Sequence, residues 1–134
     1  MVFGTFDIVH QGHLNLFKQA RKYGDTLIAV VARDERVTKL KKKKPLYSEK
    51  ERKYFLEQIR FIDTVLLGNK NDVYKKIREI KPDVIALGYD QNYFTQKLEE
   101  KIKEFGLKTK IVRLKSYKPG IFKSNTIRKV LEKK

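Results

Sequence analysis

The chain has 134 residues, with 32 Lys and Arg against 16 Asp and Glu, a formal net charge of +16, and no cysteine. That length suits one domain, 1–134, with a core of its own and no separate lid domain, and the lack of cysteine excludes a disulfide framework, a thiolate metal site and a Cys nucleophile. No apolar run approaches the roughly 20 residues of a membrane span, and Met1-Val2-Phe3-Gly4 lacks the basic flank and apolar stretch of a signal peptide, so the expectation is a soluble cytoplasmic protein with no membrane partner.

Val2-Phe3 begins a first strand, expected to be short because only three residues precede Gly4. A helix follows from about Gly12 to Tyr23, with Leu16, Phe17, Ala20 and Tyr23 on one face and Gly24 as a left-handed cap. Leu27-Ile28-Ala29-Val30-Val31 is a continuous β-rich run, as a strand buried on both faces requires. Lys39, Lys41, Lys42, Lys43 and Lys44 fall within six residues ahead of Pro45. Such a run of like charge repels itself and reads as a loop: a solvated surface, a nucleic-acid patch or a triphosphate clamp. Ser48 and Glu51 form a capping box that opens a helix with Phe55, Leu56 and Ile59 as its buried stripe. Thr64–Leu67 repeats the strand pattern, and Val73, Ile77 and Ile80 mark a helix that must stop before Pro82. Asp83–Leu87 is a fourth strand, and Phe94, Leu98, Ile102 and Phe105 mark a helix closed by Gly106. Lys110–Leu114 is a fifth strand whose weaker alternation suits an edge, and Ile127, Val130 and Leu131 give a short terminal helix after Ser124.

Strands and helices alternate from end to end. The fold class is α/β: a Rossmann-like, doubly wound, five-stranded parallel sheet with helices on both faces. Ligands of such sheets bind at the carboxyl ends of the strands, where strand order reverses. Functional residues are therefore expected just after strands one, two, four and five. A field of +16 attracts anions, whether nucleic acid, membrane or phosphorylated metabolite.

The loop after strand one, Gly4-Thr5-Phe6-Asp7-Ile8-Val9-His10-Gln11-Gly12-His13, holds both of the chain's histidines. Gly12 permits close approach of a ligand, and a helix start offers free N–H groups and partial positive charge. Imidazoles there suit an anion that gains charge in a transition state. They are poor metal ligands, since Asp7 is the only nearby carboxylate. Neither the Walker pattern nor the dinucleotide Gly-x-Gly-x-x-Gly is present.

Gly4-Thr5-Phe6-Asp7 followed by His10-x-Gly12-His13 resembles the nucleotidylyltransferase superfamily with the HxGH signature, and the resemblance covers essentially the whole chain. That superfamily includes glycerol-3-phosphate and ethanolamine-phosphate cytidylyltransferases, pantetheine-phosphate and nicotinamide-mononucleotide adenylyltransferases, and archaeal-type FAD synthases. The resemblance implies transfer of a nucleoside monophosphate from an NTP, ATP or CTP, to a phosphorylated small molecule, with release of pyrophosphate. His10 and His13 would then contact the nucleotide phosphates and stabilise the transition state, while Gly4, Thr5, Phe6, Asp7 and Gly12 build the phosphate loop. Lys43 and Lys44 would fold over the triphosphate, Lys44 with a catalytic role, joined by Arg52 from an S-x-x-x-R stretch. Gly88 and Asp90 would form a nucleotide-binding turn after strand four, with Arg113 at the end of strand five. Ser124, Asn125, Thr126 and Arg128 resemble the S-[ST]-x-x-I-[RK] motif that grips the outer phosphates, although Lys123 stands where the first Ser is usual. The implied cofactor is Mg²⁺ carried mainly by the phosphates, with no protein metal ligands. Homodimers are common among relatives, but this sequence shows no diagnostic interface.

Val31-Ala32-Arg33-Asp34-Glu35 and Leu87-Gly88-Tyr89-Asp90-Gln91 look most like the archaeal-type FAD synthases, which adenylylate FMN. Tyr93, Phe94, Tyr117 and Phe122 are candidates to line an isoalloxazine site. The alternative within the superfamily is a glycerol-3-phosphate cytidylyltransferase. An alternative from another class is a non-enzymatic basic nucleic-acid-binding domain, against which stands the lack of a basic-aromatic pattern such as the RRM signature.

Overall fold

The computed structural model describes residues 1–92 and 95–116. Five strands, β1 (Val2–Gly4), β2 (Ile28–Val31), β3 (Thr64–Leu67), β4 (Val84–Leu87) and β5 (Lys110–Arg113), alternate with helices α1 (Gln11–Arg21), α2 (Asp34–Lys41), α3 (Glu49–Glu57), α4 (Lys75–Ile80) and α5 (Leu98–Glu104). The terminal helix expected after Ser124 lies outside the described residues.

All strand pairs are parallel. Val2 faces Ala29, Ala29 faces Val65 and Ile85 faces Ile111. The ladders form two blocks, β1-β2-β3 and β4-β5. They meet at Met1, whose N–H donates to Val84 O at 2.9 Å while its carbonyl accepts from Ala86 N at 3.0 Å. Those two bonds are one rung of a parallel ladder, so the order across the molecule is β3-β2-β1-β4-β5, and it reverses between β1 and β4. β5 is an edge among the described strands, as its weaker alternation indicates.

Side-chain alternation sends each strand into two cores. Val2, Ala29, Val31 and Val65 pack with Phe17 of α1 and Leu56 of α3. Met1, Val30, Ile85 and Leu87 pack with Ile77 of α4 and with Leu98 and Ile102 of α5. Both faces are covered, as a doubly wound sheet requires. Ser48 Oγ accepts from Glu51 N and Glu51 Oε1 accepts from Ser48 N, both at 3.2 Å, so the capping box starts α3. Lys81 turns left-handed (φ 55°) and stops α4 ahead of Pro82, and Gly106 (φ 69°) follows α5.

Three local expectations are corrected. α1 ends at Arg21 with Lys22 as a right-handed cap, so Gly24 is not its left-handed terminus, and Tyr23 is exposed. Phe55 is also exposed, and the buried residues of α3 are Arg52 and Leu56, a cation taking the place expected of an apolar residue, while Ile59 packs on the core from just beyond the helix end. The lysine run does not begin as a loop. Lys39 and Lys41 form the last turn of α2, whose first turn carries Asp34 and Glu35. Acid at the start and base at the end both complement the helix dipole, which outweighs the repulsion among the lysines until Lys42 turns left-handed.

Candidate active site

β1 ends in a reversal packed tightly over Gly4. A Cβ on Gly4 would stand 2.7 Å from Phe6 Cζ, so the ring of Phe6 lies directly over the strand end. Phe6 itself is left-handed (φ 52°), a conformation strained for a bulky residue by about 1–3 kcal/mol. Burial of its ring holds it there. The ring meets Phe17 at 5.3 Å between centroids and stands edge-on to His13 at 5.6 Å.

The reversal delivers Asp7 and then the histidines. His10 is the N-cap of α1, and its Nδ1 accepts the Gly12 N–H at 3.0 Å. In the neutral ring the proton must therefore sit on Nε2, a fixed tautomer. His13, one turn later, stacks on His10 with centroids 4.1 Å apart and planes 25° apart. Burial holds the pKa of His10 below its usual value. His13 is lowered to about 3, first by burial, then by His10 and by Lys41, against a hydrogen bond with the Ile8 backbone that raises it. Two stacked imidazoles stand at a helix start, where neutral His10 has its one N–H on Nε2 for an anionic oxygen and His13 spends its own on the Ile8 backbone.

The loop is tied down from behind. The two carboxylate oxygens of buried Asp7 accept the N–H groups of Leu46 (2.7 Å) and Tyr47 (2.9 Å). This fixes the segment between α2 and α3 against the histidine loop. Arg52, wholly buried, donates to Thr5 O at 2.8 Å, Tyr47 O at 3.1 Å and Asp34 Oδ1 at 2.5 Å. Its fork thus sits beneath the loop and positions Thr5. Glu49 joins the same brace, accepting from Arg33 Nη1 at 2.7 Å and from Asp34 N at 2.9 Å.

Across the switch point stands the turn after β4. Arg113 Nη1 donates to Gly88 O at 2.7 Å and Gln91 O at 2.5 Å, so it clamps the turn from β5. Gly88 is buried and a Cβ there would press on Leu16 Cδ1 at 3.3 Å, whereas Asp90 is exposed. Beyond the Met1 rung, β1 and β4 part. Gly88 N donates to Gln91 Oε1 at 3.2 Å, and Gln91 Nε2 donates to Phe3 O at 3.1 Å. One side-chain amide occupies the next rung and holds the two strand ends apart. A crevice of about 530 Å³ opens beside it on the α4 face, lined by Phe3, Gly4, Val30, Arg36, Leu40 and Val73, with Gly68, Asn69 and Gln91 completing the wall.

The structure thus brings Gly4, Thr5, Phe6, Asp7, His10, Gly12 and His13 into one loop. Gly88, Asp90 and Arg113 lie at the neighbouring strand ends. Lys43 and Lys44 are exposed on the segment that Asp7 fastens. Ser124, Asn125, Thr126 and Arg128 lie outside the described residues, as do Tyr93, Phe94, Tyr117 and Phe122. Sequence reasoning missed Lys41, the lysine whose charge reaches His13. Its spacing of four from buried Val37 was the available signal. It also assigned no role to Gln91, whose work depends on a contact 88 residues away.

A stacked histidine pair thus stands at a helix start, where the order of a parallel sheet reverses on a Rossmann-like fold. The chain belongs to the cytidylyltransferase-like family, whose model matches residues 1–130. It is 43% identical over 133 residues to an FAD synthase of Aciduliprofundum boonei, covering 99% of this chain and 87% of that protein. It is 42% identical over 133 residues to an FAD synthase of Methanohalophilus mahii, covering 98% and 92%. A solved structure, the lipopolysaccharide core biosynthesis protein from Thermoplasma volcanium, superposes with a TM-score of 0.81 at 39% identity over 87% of this chain and 95% of that one.

Proposed function

We propose that the protein is an FMN adenylyltransferase, an FAD synthase that uses ATP. The observation that carries this reading is the near full-length similarity, at 36–43% identity, to relatives named FAD synthase, joined to a site whose chemistry suits the reaction. A phosphate oxygen of FMN attacks the α-phosphorus of ATP. The new P–O bond forms as the bond to the β-phosphate oxygen breaks, and pyrophosphate leaves with the electron pair. The acceptor phosphate is already nucleophilic at neutral pH, so positioning and charge stabilisation are what the protein must supply.

His10 and His13 act at the α-phosphate, where charge accumulates on the equatorial oxygens. Neutral His10 donates its Nε2–H there without the desolvation cost of a buried cation, and His13 donates from its second nitrogen once the arriving phosphate charge draws a proton onto the ring. Lys43 and Lys44 meet the outer phosphates from the segment that Asp7 fixes, and Gly88 and Asp90 face the nucleoside. Arg113 and Arg52 serve as positioning residues, because their guanidinium groups hold backbone carbonyls. Among the described residues no three His, Asp or Glu side chains gather to hold a metal, and Asp7 has its oxygens on backbone N–H groups. Mg²⁺ would enter on the triphosphate and neutralise its charge there.

A pyrophosphate-release screen tests the assignment by crossing ATP and CTP with FMN, glycerol 3-phosphate, ethanolamine phosphate and pantetheine phosphate. Turnover with ATP and FMN alone is the expected result, abolished by EDTA and restored by Mg²⁺. Turnover only with CTP and glycerol 3-phosphate would reassign the substrates and keep the reaction. Salt-sensitive binding to DNA or RNA with no turnover of any NTP would replace the enzyme with a nucleic-acid-binding protein.

A further inference from the structure

The crevice on the α4 side of β1 is separate from the histidine pair, which lies on the α1 side. Its walls are mostly apolar: Phe3 and Val30 from the sheet, Leu40 from α2 and Val73 ahead of α4. The crevice is open to solvent on one side, and its empty space of about 530 Å³ includes that open side. Leu40 stands at its lip, 42% exposed. The wall after β3 is held by Arg33 Nε, which donates to Gly68 O at 2.6 Å. Next to that carbonyl is Asn69, whose Oδ1 is buried with no hydrogen-bond partner among the described residues. A buried acceptor that borders a cavity is open to a donor that enters it.

We propose that this crevice is the ring subsite of the acceptor, a slot for a planar, largely apolar heteroaromatic with one N–H on its edge, and that Asn69 Oδ1 receives that N–H. The proposal rests on the FMN reading: the isoalloxazine of FMN is such a ring, with an imide N–H at position 3. Gly4 lines the crevice and also lies under the Phe6 ring. An arm leaving the crevice past the end of β1 therefore reaches the histidine loop, where the phosphate must react. Acceptor and nucleotide approach from opposite faces of the sheet and meet at the strand end that the Gln91 amide keeps open.

The test compares wild type, Asn69→Leu and Val73→Trp, with FMN and 3-methyl-FMN as acceptors and riboflavin fluorescence as a measure of binding alone. Val73→Trp, which fills the slot, is expected to raise the KM for FMN and the Kd for riboflavin at least about tenfold, with the KM for ATP within about twofold. Asn69→Leu is expected to raise both by roughly tenfold through the lost hydrogen bond. Wild type should discriminate against 3-methyl-FMN by a similar factor, because the methyl group leaves the site's own acceptor unpaired. Asn69→Leu should lose that discrimination, the coupling expected of direct partners. The methylated substrate needs no altered protein, so a folding defect cannot obscure the answer. FAD formation with equal KM for FMN and 3-methyl-FMN, or with both variants unaffected, would overturn the ring subsite alone. No FAD formed by wild type from ATP and FMN would overturn the FMN reading itself, and the subsite with it.

Discussion

In the proposed reaction the chemistry at the smallest scale belongs to His10 and His13, whose pKa values burial holds below the usual imidazole range. Replacing either by Ala is expected to lower kcat for pyrophosphate release at least about a hundredfold, the usual loss for a transition-state donor. Near-normal kcat with a folded variant would remove that residue from the chemistry. Burial of neutral rings also sets a pH dependence of stability. His13 has a folded pKa of about 3, against about 6.5 in an unfolded chain. Between those values the unfolded state binds the extra proton, so stability is full above pH ~6.5 and falls as pH drops toward ~3. The slope is about 1.4 kcal/mol per pH unit from His13, and His10, shifted the same way, adds to it near the upper end. Urea melts at pH 7 and 5 measure the effect. His13→Gln should flatten the slope, and an unchanged slope would mean that His13 titrates normally. The histidine pair was legible in the sequence because it was the chain's whole supply of histidine at one strand-to-helix junction. Arg52 was legible as important but not as buried. A sequence cannot say whether a guanidinium faces a ligand or, as here, the carbonyl of Thr5 at a separation of 47 residues.

Among the elements, the segment joining α2 to α3 ties the lysine run to the histidine loop. Its lysines were read from the sequence as one loop, yet the helix dipole draws Lys39 and Lys41 into α2 and leaves only Lys42, Lys43 and Lys44 to the connection. The five strands were legible because continuous β-branched runs have few other uses. The second helix was not, because it buries a single residue, Val37, and carries no apolar stripe. Asp7 governs this segment through Leu46 and Tyr47, so charge and anchor should act in series. Replacing Lys43 and Lys44 together by Gln is expected to raise the KM for the NTP more than it lowers kcat. Asp7→Ala should produce a similar rise with both lysines present, because the segment loses its fastening. It should also lower stability by about 1–3 kcal/mol, as two backbone donors lose a charged acceptor. Kinetics at subsaturating NTP would check both. Pyrophosphate release unchanged at low NTP in the lysine variant would make the segment ordinary surface.

At the scale of the molecule, a main-chain rung at Met1 and a side-chain rung at Gln91 join the two blocks of sheet among the described residues. A second main-chain rung would run from Gly88 N to Phe3 O and draw the ends of β1 and β4 together. The amide of Gln91 satisfies both groups while keeping them apart, so it reconciles a continuous sheet with an open crevice at the point where strand order reverses. The reversal could be expected from the alternation of strands and helices. The device that opens it could not, because one glutamine in a turn carries no pattern. Gln91→Leu tests it, since leucine fills similar space without bridging. Phe3 O and Gly88 N would be left buried and unpaired, lowering stability by about 1–3 kcal/mol, or would close on one another and narrow the crevice. In either case kcat/KM for the joined substrates should fall more than about tenfold, because both reacting groups meet at that strand end. A urea melt separates the routes: lost stability marks unpaired groups, and retained stability with lost turnover marks a closed joint. Wild-type stability together with wild-type kcat/KM would show that the amide is not what holds the two strand ends apart.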